Sequence, residues 1–268
     1  MNPTLSRTKR IAYSAMLIAF SVIVGRLLGL AQPGPIFAFN RLGVGIAITM
    51  FASLFLGPFF GALVGVAGDA LGWVILGQWT GAFNVYLSVF YALVGVLPWL
   101  MAKGLGRWMR TRYSIIAFCI TFVLCFVAFS LVLWLTPVFE VGFTRWNLDP
   151  LACRIFLTAL FAPLVVVTVV LIVLLQWKGR DGVNMGEIAW ISLAIEILTV
   201  FLKPLAFYLY CLTFLGANIE TAWNISYSTL VLLSLVFSFA DIIVNIGFLR
   251  LLLWVKGKAL VHEKRQAE

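Results

Sequence analysis

Eight long apolar stretches, separated by short polar breaks, run along this chain at roughly 11–31, 43–57, 58–77, 84–103, 113–136, 152–177, 187–215 and 225–255. Measured against the ~20 apolar residues that carry a helix across a bilayer, the pattern predicts eight membrane helices in an all-α, polytopic transmembrane bundle. The second and third stretches meet at Gly57-Pro58, where proline ends one helix and starts the next.

The third stretch carries a second period inside the first. At 100° per residue, Gly57, Gly61, Gly65, Gly68 and Gly72 fall within an arc of about 80°, so one face of the helix is nearly free of side chains. Another helix can lie close against such a face. Asp69 stands at its edge, where an ionised group in a membrane span costs on the order of 3 kcal/mol unless it is paired or hydrated. The economical reading is close packing by the glycines and a paired, structural Asp69.

Composition excludes a soluble globule: 63% of the 268 residues are hydrophobic and 11% charged. A net charge of +9 does not indicate nucleic acid, because the basic residues flank apolar spans. Arg7, Lys9 and Arg10, then Lys103, Arg107, Arg110 and Arg112, then Lys178 and Arg180, then Lys256, Lys258, Lys264 and Arg265 all fall on one side of an eight-helix topology. The positive-inside rule therefore predicts both termini in the cytoplasm. Cys119, Cys125, Cys153 and Cys211 have neither disulfide nor zinc spacing, and the one histidine, His262, lies in the polar tail, so no metal site and no cofactor is expected. No small-residue cleavage site follows the first span, which is expected to be retained.

Candidate ligand chemistry gathers at the outer ends of the helices. Arg26, Arg41 and Arg154 are guanidinium groups suited to carboxylates, with interfacial snorkelling the simpler alternative for Arg26. Trp79, Phe83, Asn84, Tyr91 and Trp134 supply aromatic faces and an amide for a flat heterocycle, although tryptophan is common at any membrane boundary. The outer connections 32–41 and 137–151 are long or proline-broken, and either cover the bundle or merely join helices. In the last two helices, Ser192, Glu196, Thr199 and Lys203 repeat at helical spacing, as do Ser234, Ser238, Asp241 and Asn245. Counted from their shared outer loop, Lys203 and Asp241 fall at similar depth and are expected to pair.

These motifs resemble the substrate-binding S components of energy-coupling-factor (ECF) vitamin transporters, most closely the folate type. The resemblance rests on the alanine-patterned opening helix Ile11 to Arg26, on Arg41-Leu-Gly43-Val-Gly45, on Gly57 to Gly72 followed by Gly81-Ala-Phe-Asn84, and on Arg154 with Pro163. It covers about 1–177 and implies a six-helix S-component domain, leaving 178–258 as a two-helix C-terminal extension and 259–268 as a polar cytoplasmic tail. It further implies a receptor in the bacterial cytoplasmic membrane that captures an anionic, aromatic vitamin outside the cell. Ala12, Ala15 and Ala19 would meet a transmembrane coupling subunit, which works with two ATPase subunits. No G-x-x-x-x-G-K-[ST] loop occurs in this chain, so ATP hydrolysis falls to another one. Two rival readings are a proton-coupled secondary transporter of a small organic anion using Asp69, Glu196 or Asp241, and a membrane-embedded lipid-modifying enzyme. The lack of intramembrane histidine and of a clustered acidic motif speaks against the enzyme.

Overall fold

The computed structural model describes residues 6–27, 44–76, 83–135, 149–177, 184–216 and 227–267. Eight long helices stand where the apolar stretches predict them: α1 (Arg7–Leu27), α2 (Val44–Leu56), α3 (Pro58–Leu76), α4 (Val85–Gly104), α6 (Arg112–Leu135), α7 (Pro150–Trp177), α8 (Met185–Tyr210) and α9 (Tyr227–Ala267). A single-turn helix α5 (Gly106–Met109) lies between α4 and α6, and α8 continues into a π-helical turn over Cys211–Leu215. Among the described residues, six segments, in α3, α4, α6, α7, α8 and α9, are long and apolar enough to cross a membrane. The 13-residue α2 is apolar but shorter, and α1 carries Arg7, Lys9 and Arg10 in its first turn.

Gly57 separates α2 from α3 with φ +103°, a left-handed conformation that other residues adopt only under strain. Pro58 then occupies the first helical position of α3, where its missing N–H removes a donor the helix would leave unpaired anyway. The glycine face is packed as its spacing predicts. A Cβ on Gly61 would collide with the Gly95 carbonyl of α4 and with Ser53 of α2, and one on Gly65 with the Tyr91 carbonyl. Gly95 answers from the other side, its own missing Cβ making room for the backbone of Gly61 and Ala62. Helices α2, α3 and α4 thus form one tight unit, with α1 against α2 and α3.

Helices α8 and α9 are not peripheral to this unit. α8 packs along α9 and against α4, and α9 packs against α2, while α6 and α7 make their main contacts with each other and with α8 and α9. Burial follows: 56% of the α8 span is buried, against 22% for α6 and 22% for α7. Phe239 of α9 anchors the outer pair, its ring centroid lying 5.4–6.0 Å from those of Phe122, Phe126, Phe129 and Phe161. At the opposite end from the candidate ligand residues, Asn184 caps α8 by accepting from Glu187 N (3.2 Å). Arg110 Nε donates to Glu187 Oε2 at 2.8 Å, and Trp190 Nε1 donates to the Ser114 carbonyl at 2.9 Å, tying α5 and α6 to the start of α8. The pairing with Glu187 raises the Arg110 pKa above its ordinary value.

The apolar surface is large. Leu124, Phe156, Val166, Phe59 and Tyr113 are all more than half exposed, as side chains that face lipid are. On α1 the buried side is Ser14 and Leu17, whereas Ala12, Ala15 and Ala19 are exposed beside Ile11 and Met16. Among the described residues, nothing in the chain's own bundle buries these alanines.

Candidate ligand-binding site

The residues singled out at the outer end separate into two described groups. The first sits where α3 gives way to α4. Phe83 packs edge-on against Trp73, ring centroids 5.6 Å apart. Asn84 is the N-cap of α4: its Oδ1 accepts from Tyr86 N (3.1 Å) and Leu87 N (3.2 Å), two donors that the first helical turn would otherwise leave unpaired. Its Nδ2 donates to the Ala206 carbonyl of α8 at 3.4 Å. Beside it, Tyr86 and Thr213 share a hydrogen bond between hydroxyls (2.9 Å). One turn further along α4, Ser88 Oγ donates to Asp69 Oδ2 at 2.6 Å, giving the α3 carboxylate a partner across the glycine seam.

The second group sits on α6 and α7. Trp134 Nε1 donates to Thr158 Oγ1 at 3.2 Å, and Thr158 Oγ1 in turn donates to the Arg154 carbonyl at 2.8 Å. Asp149 caps α7, its two carboxylate oxygens accepting from Leu151 N and Ala152 N, each at 3.3 Å. Trp134 is 43% exposed, so its ring retains free surface while its N–H is fixed. Arg154 is half-buried on the same helical hairpin.

The structure therefore sets Phe83 beside Asn84 at the start of α4 and links the Trp134 indole through Thr158 to the backbone of Arg154, with α8 packed against the helices of both groups. Of Arg26 only the backbone, in α1, is described, and Arg41 and Trp79 lie outside the described residues. The outer connections 32–41 and 137–148 also lie outside them. Sequence reasoning missed the capping duty of Asn84, although an asparagine just before an apolar run is a helix-start signal. Thr158, which holds the Trp134 ring through its N–H, carried no signal of its own.

What the fold and these groups define is a multi-pass helical membrane protein with polar and aromatic residues gathered at one end of its helices. Residues 5–178, spanning α1 to α7, match the family described as ECF-type riboflavin transporter, S component, and the chain belongs to that family. It is accordingly the substrate-binding subunit of an ECF transporter and not an enzyme, and membership implies a vitamin substrate and the ECF module as partner. No curated protein and no solved structure matches the chain.

Proposed function

We propose that the chain captures, on the outer side of the membrane, a vitamin built on a flat fused heterocycle, of the folate (pterin) or riboflavin (flavin) kind. The match over residues 5–178 carries this reading, because its description names riboflavin. The folate alternative rests on the arginines: folate brings carboxylates that Arg26, Arg41 and Arg154 suit, whereas riboflavin is neutral. Trp79, Phe83 and Trp134 supply stacking faces in either case. Asn84, whose polar atoms both serve the protein, acts by holding Phe83 and the start of α4 against α8.

The ligand that co-purifies with the full chain in mild detergent tests the class, and Arg154 tests the kind. Arg154→Ala and Arg41→Ala are expected to weaken an anionic pterin at least about tenfold, equivalent to about 1.4 kcal/mol, and to leave a neutral flavin nearly unaffected. A purified protein that binds neither ligand overturns the proposal.

Delivery inward needs a partner, and the basic residues flanking the helices favour both termini on the cytoplasmic side, where that partner works. The exposed Ala12, Ala15 and Ala19 of α1 offer a small-residue face to which a coupling helix can approach closely. Ala15→Trp is expected to abolish co-purification with the coupling module while leaving vitamin affinity intact. Assembly unchanged by the tryptophan would move the docking face elsewhere.

A further inference from the structure

The seam between α8 and α9 is lined with polar side chains at mid-helix. Ser192, Glu196 and Thr199 of α8 and Ser234, Ser238, Asp241 and Asn245 of α9 are all buried. Much of this polarity is internally satisfied. Thr199 Oγ1 donates to the Ile195 carbonyl (2.7 Å), Ser238 Oγ to the Leu235 carbonyl (2.7 Å), and Asn245 Nδ2 to Glu196 Oε1 (2.6 Å).

Three oxygens are left over. Glu196 Oε2, Ser192 Oγ and Asn245 Oδ1 are buried and have no hydrogen-bond partner among the described residues. Their residues are 1%, 0% and 0% exposed, respectively. Ser192 and Glu196 lie four positions apart on one face of α8, and Asn245 is held to the other oxygen of the same carboxylate, so the three atoms belong to one neighbourhood. Their chemistry is uniform, since a carboxylate, an amide carbonyl and a hydroxyl all present lone pairs. None hydrogen-bonds to another.

Charge points the same way. Asp241 and Lys203 both lie near enough to act on Glu196 electrostatically. They act on it in opposite senses, and the ligand set itself contains one carboxylate, so an ionised Glu196 brings one negative charge into a low-dielectric interior. One monovalent cation balances it. Hard oxygen donors of this kind suit an alkali or alkaline-earth ion, and the single charge to be balanced selects the former. Among the described residues there is no group of three histidine, cysteine or acidic side chains that would hold a transition metal.

We propose that Glu196, Ser192 and Asn245 bind an alkali-metal cation between α8 and α9, with the carboxylate supplying the charge and the hydroxyl and amide oxygens the remaining protein ligands. Bound there, the ion ties α9 to the helix that Asn84 and Tyr86 grip at its outer end.

The test uses full-length protein in mild detergent, melted in choline chloride while NaCl or KCl replaces choline at constant ionic strength. The expected result is a saturable rise in Tm with at least one of the two ions. That rise should be absent in Glu196→Gln, and in Ser192→Ala it should need about tenfold more ion. Radioactive sodium or rubidium binding gives a second readout, expected at one site per chain and weakened in Ser192→Ala and Asn245→Ala even if Glu196→Gln cannot be purified. Melting indifferent to both ions, or a shift undiminished in Glu196→Gln, overturns the site. So does a Tm that follows pH but neither cation, which would assign Glu196 to a proton instead. Vitamin affinity enters none of these readouts, so the cation site and the vitamin reading fail separately.

Discussion

Helices α3 and α4 meet by giving up side chains, whereas α8 and α9 meet by bringing polar ones together. At the first seam Gly61, Gly65 and Gly95 let backbone lie against backbone, and the polar side chains nearby, Ser53, Asp69 and Ser88, are engaged with one another or with the chain. At the second, Glu196 and Asn245 share one strong hydrogen bond and leave acceptors over. A lipid-exposed helix gains little from apolar burial alone, because lipid is as apolar as leucine. Contact distance and polar pairing are the remaining means of fixing one helix on another, and the first leads at the glycine seam, the second between α8 and α9. The difference predicts opposite sensitivities: the glycine seam fails by addition of atoms, and the polar seam by removal of partners.

The largest effect belongs to addition. Gly61→Val places carbon where the Gly95 carbonyl and the Ser53 backbone stand, and neither is the yielding end of a flexible side chain. Overpacking of this kind costs roughly 1–3 kcal/mol when neighbours can shift and more when they are backbone. We expect a loss of about 3 kcal/mol or more, read as collapse of the monodisperse peak in detergent or a steep fall in Tm. Gly104→Val is the control, since nothing lies within 4 Å of its added Cβ. Equal losses for the two would mean that the glycines are not there for close approach.

Removal comes next. Asn245→Leu takes away the donor to Glu196 Oε1 inside the α8/α9 seam and is expected to cost about 2 kcal/mol. Adding Glu196→Leu to that variant should recover part of the loss, since two apolar residues leave no buried carboxylate without its donor. If the double variant is less stable than the single one, the carboxylate has a stabilising partner beyond Asn245, as an ion bound there would be.

How much of this was legible in the sequence depends on the seam. The glycine seam could be read outright, because an arc of missing side chains is a property of one helix and survives any choice of neighbour. The helices themselves, and the Gly57-Pro58 break, were legible for the same local reason. The polar seam was half legible. The stripes Ser192–Glu196–Thr199 and Ser238–Asp241–Asn245 showed which faces meet, but their register depends on how the chain turns between them. Depth counted from the loop set Lys203 opposite Asp241. The structure brings both into the electrostatic neighbourhood of Glu196 and adds what depth alone did not show, the bond from Asn245 to that carboxylate. Nor did hydropathy reveal that α8 and α9 pack between α2 and α4 on one side and α6 and α7 on the other. An apolar span reads alike at the centre and at the rim. The family match ends at residue 178, just before the helix whose span is most buried. The candidate ligand groups were legible as residue types only, because nothing in the hydropathy pattern says that α8 packs against the helices carrying both groups.

The smallest predicted effect sharpens the comparison from within the glycine seam. Ser53 is fully buried there, and its Oγ accepts from Trp99 N at 3.2 Å. That donor follows Pro98, whose ring sits inside α4 and interrupts the helical hydrogen-bond ladder at its own position. Ser53→Ala keeps almost all of the volume and adds nothing toward Gly61, but withdraws the acceptor. The expected cost is roughly 0.5–1 kcal/mol, the usual range for one interhelical hydrogen bond. Ser53→Val, by contrast, should approach the loss from Gly61→Val, because the new methyl groups enter the same close contact. If Ser53→Ala is as damaging as Ser53→Val, hydrogen bonding governs the α2/α3/α4 unit after all. If the two differ by about 2 kcal/mol in Tm-derived stability, distance governs it, and the division of labour between the two seams holds at a residue that belongs to both chemistries.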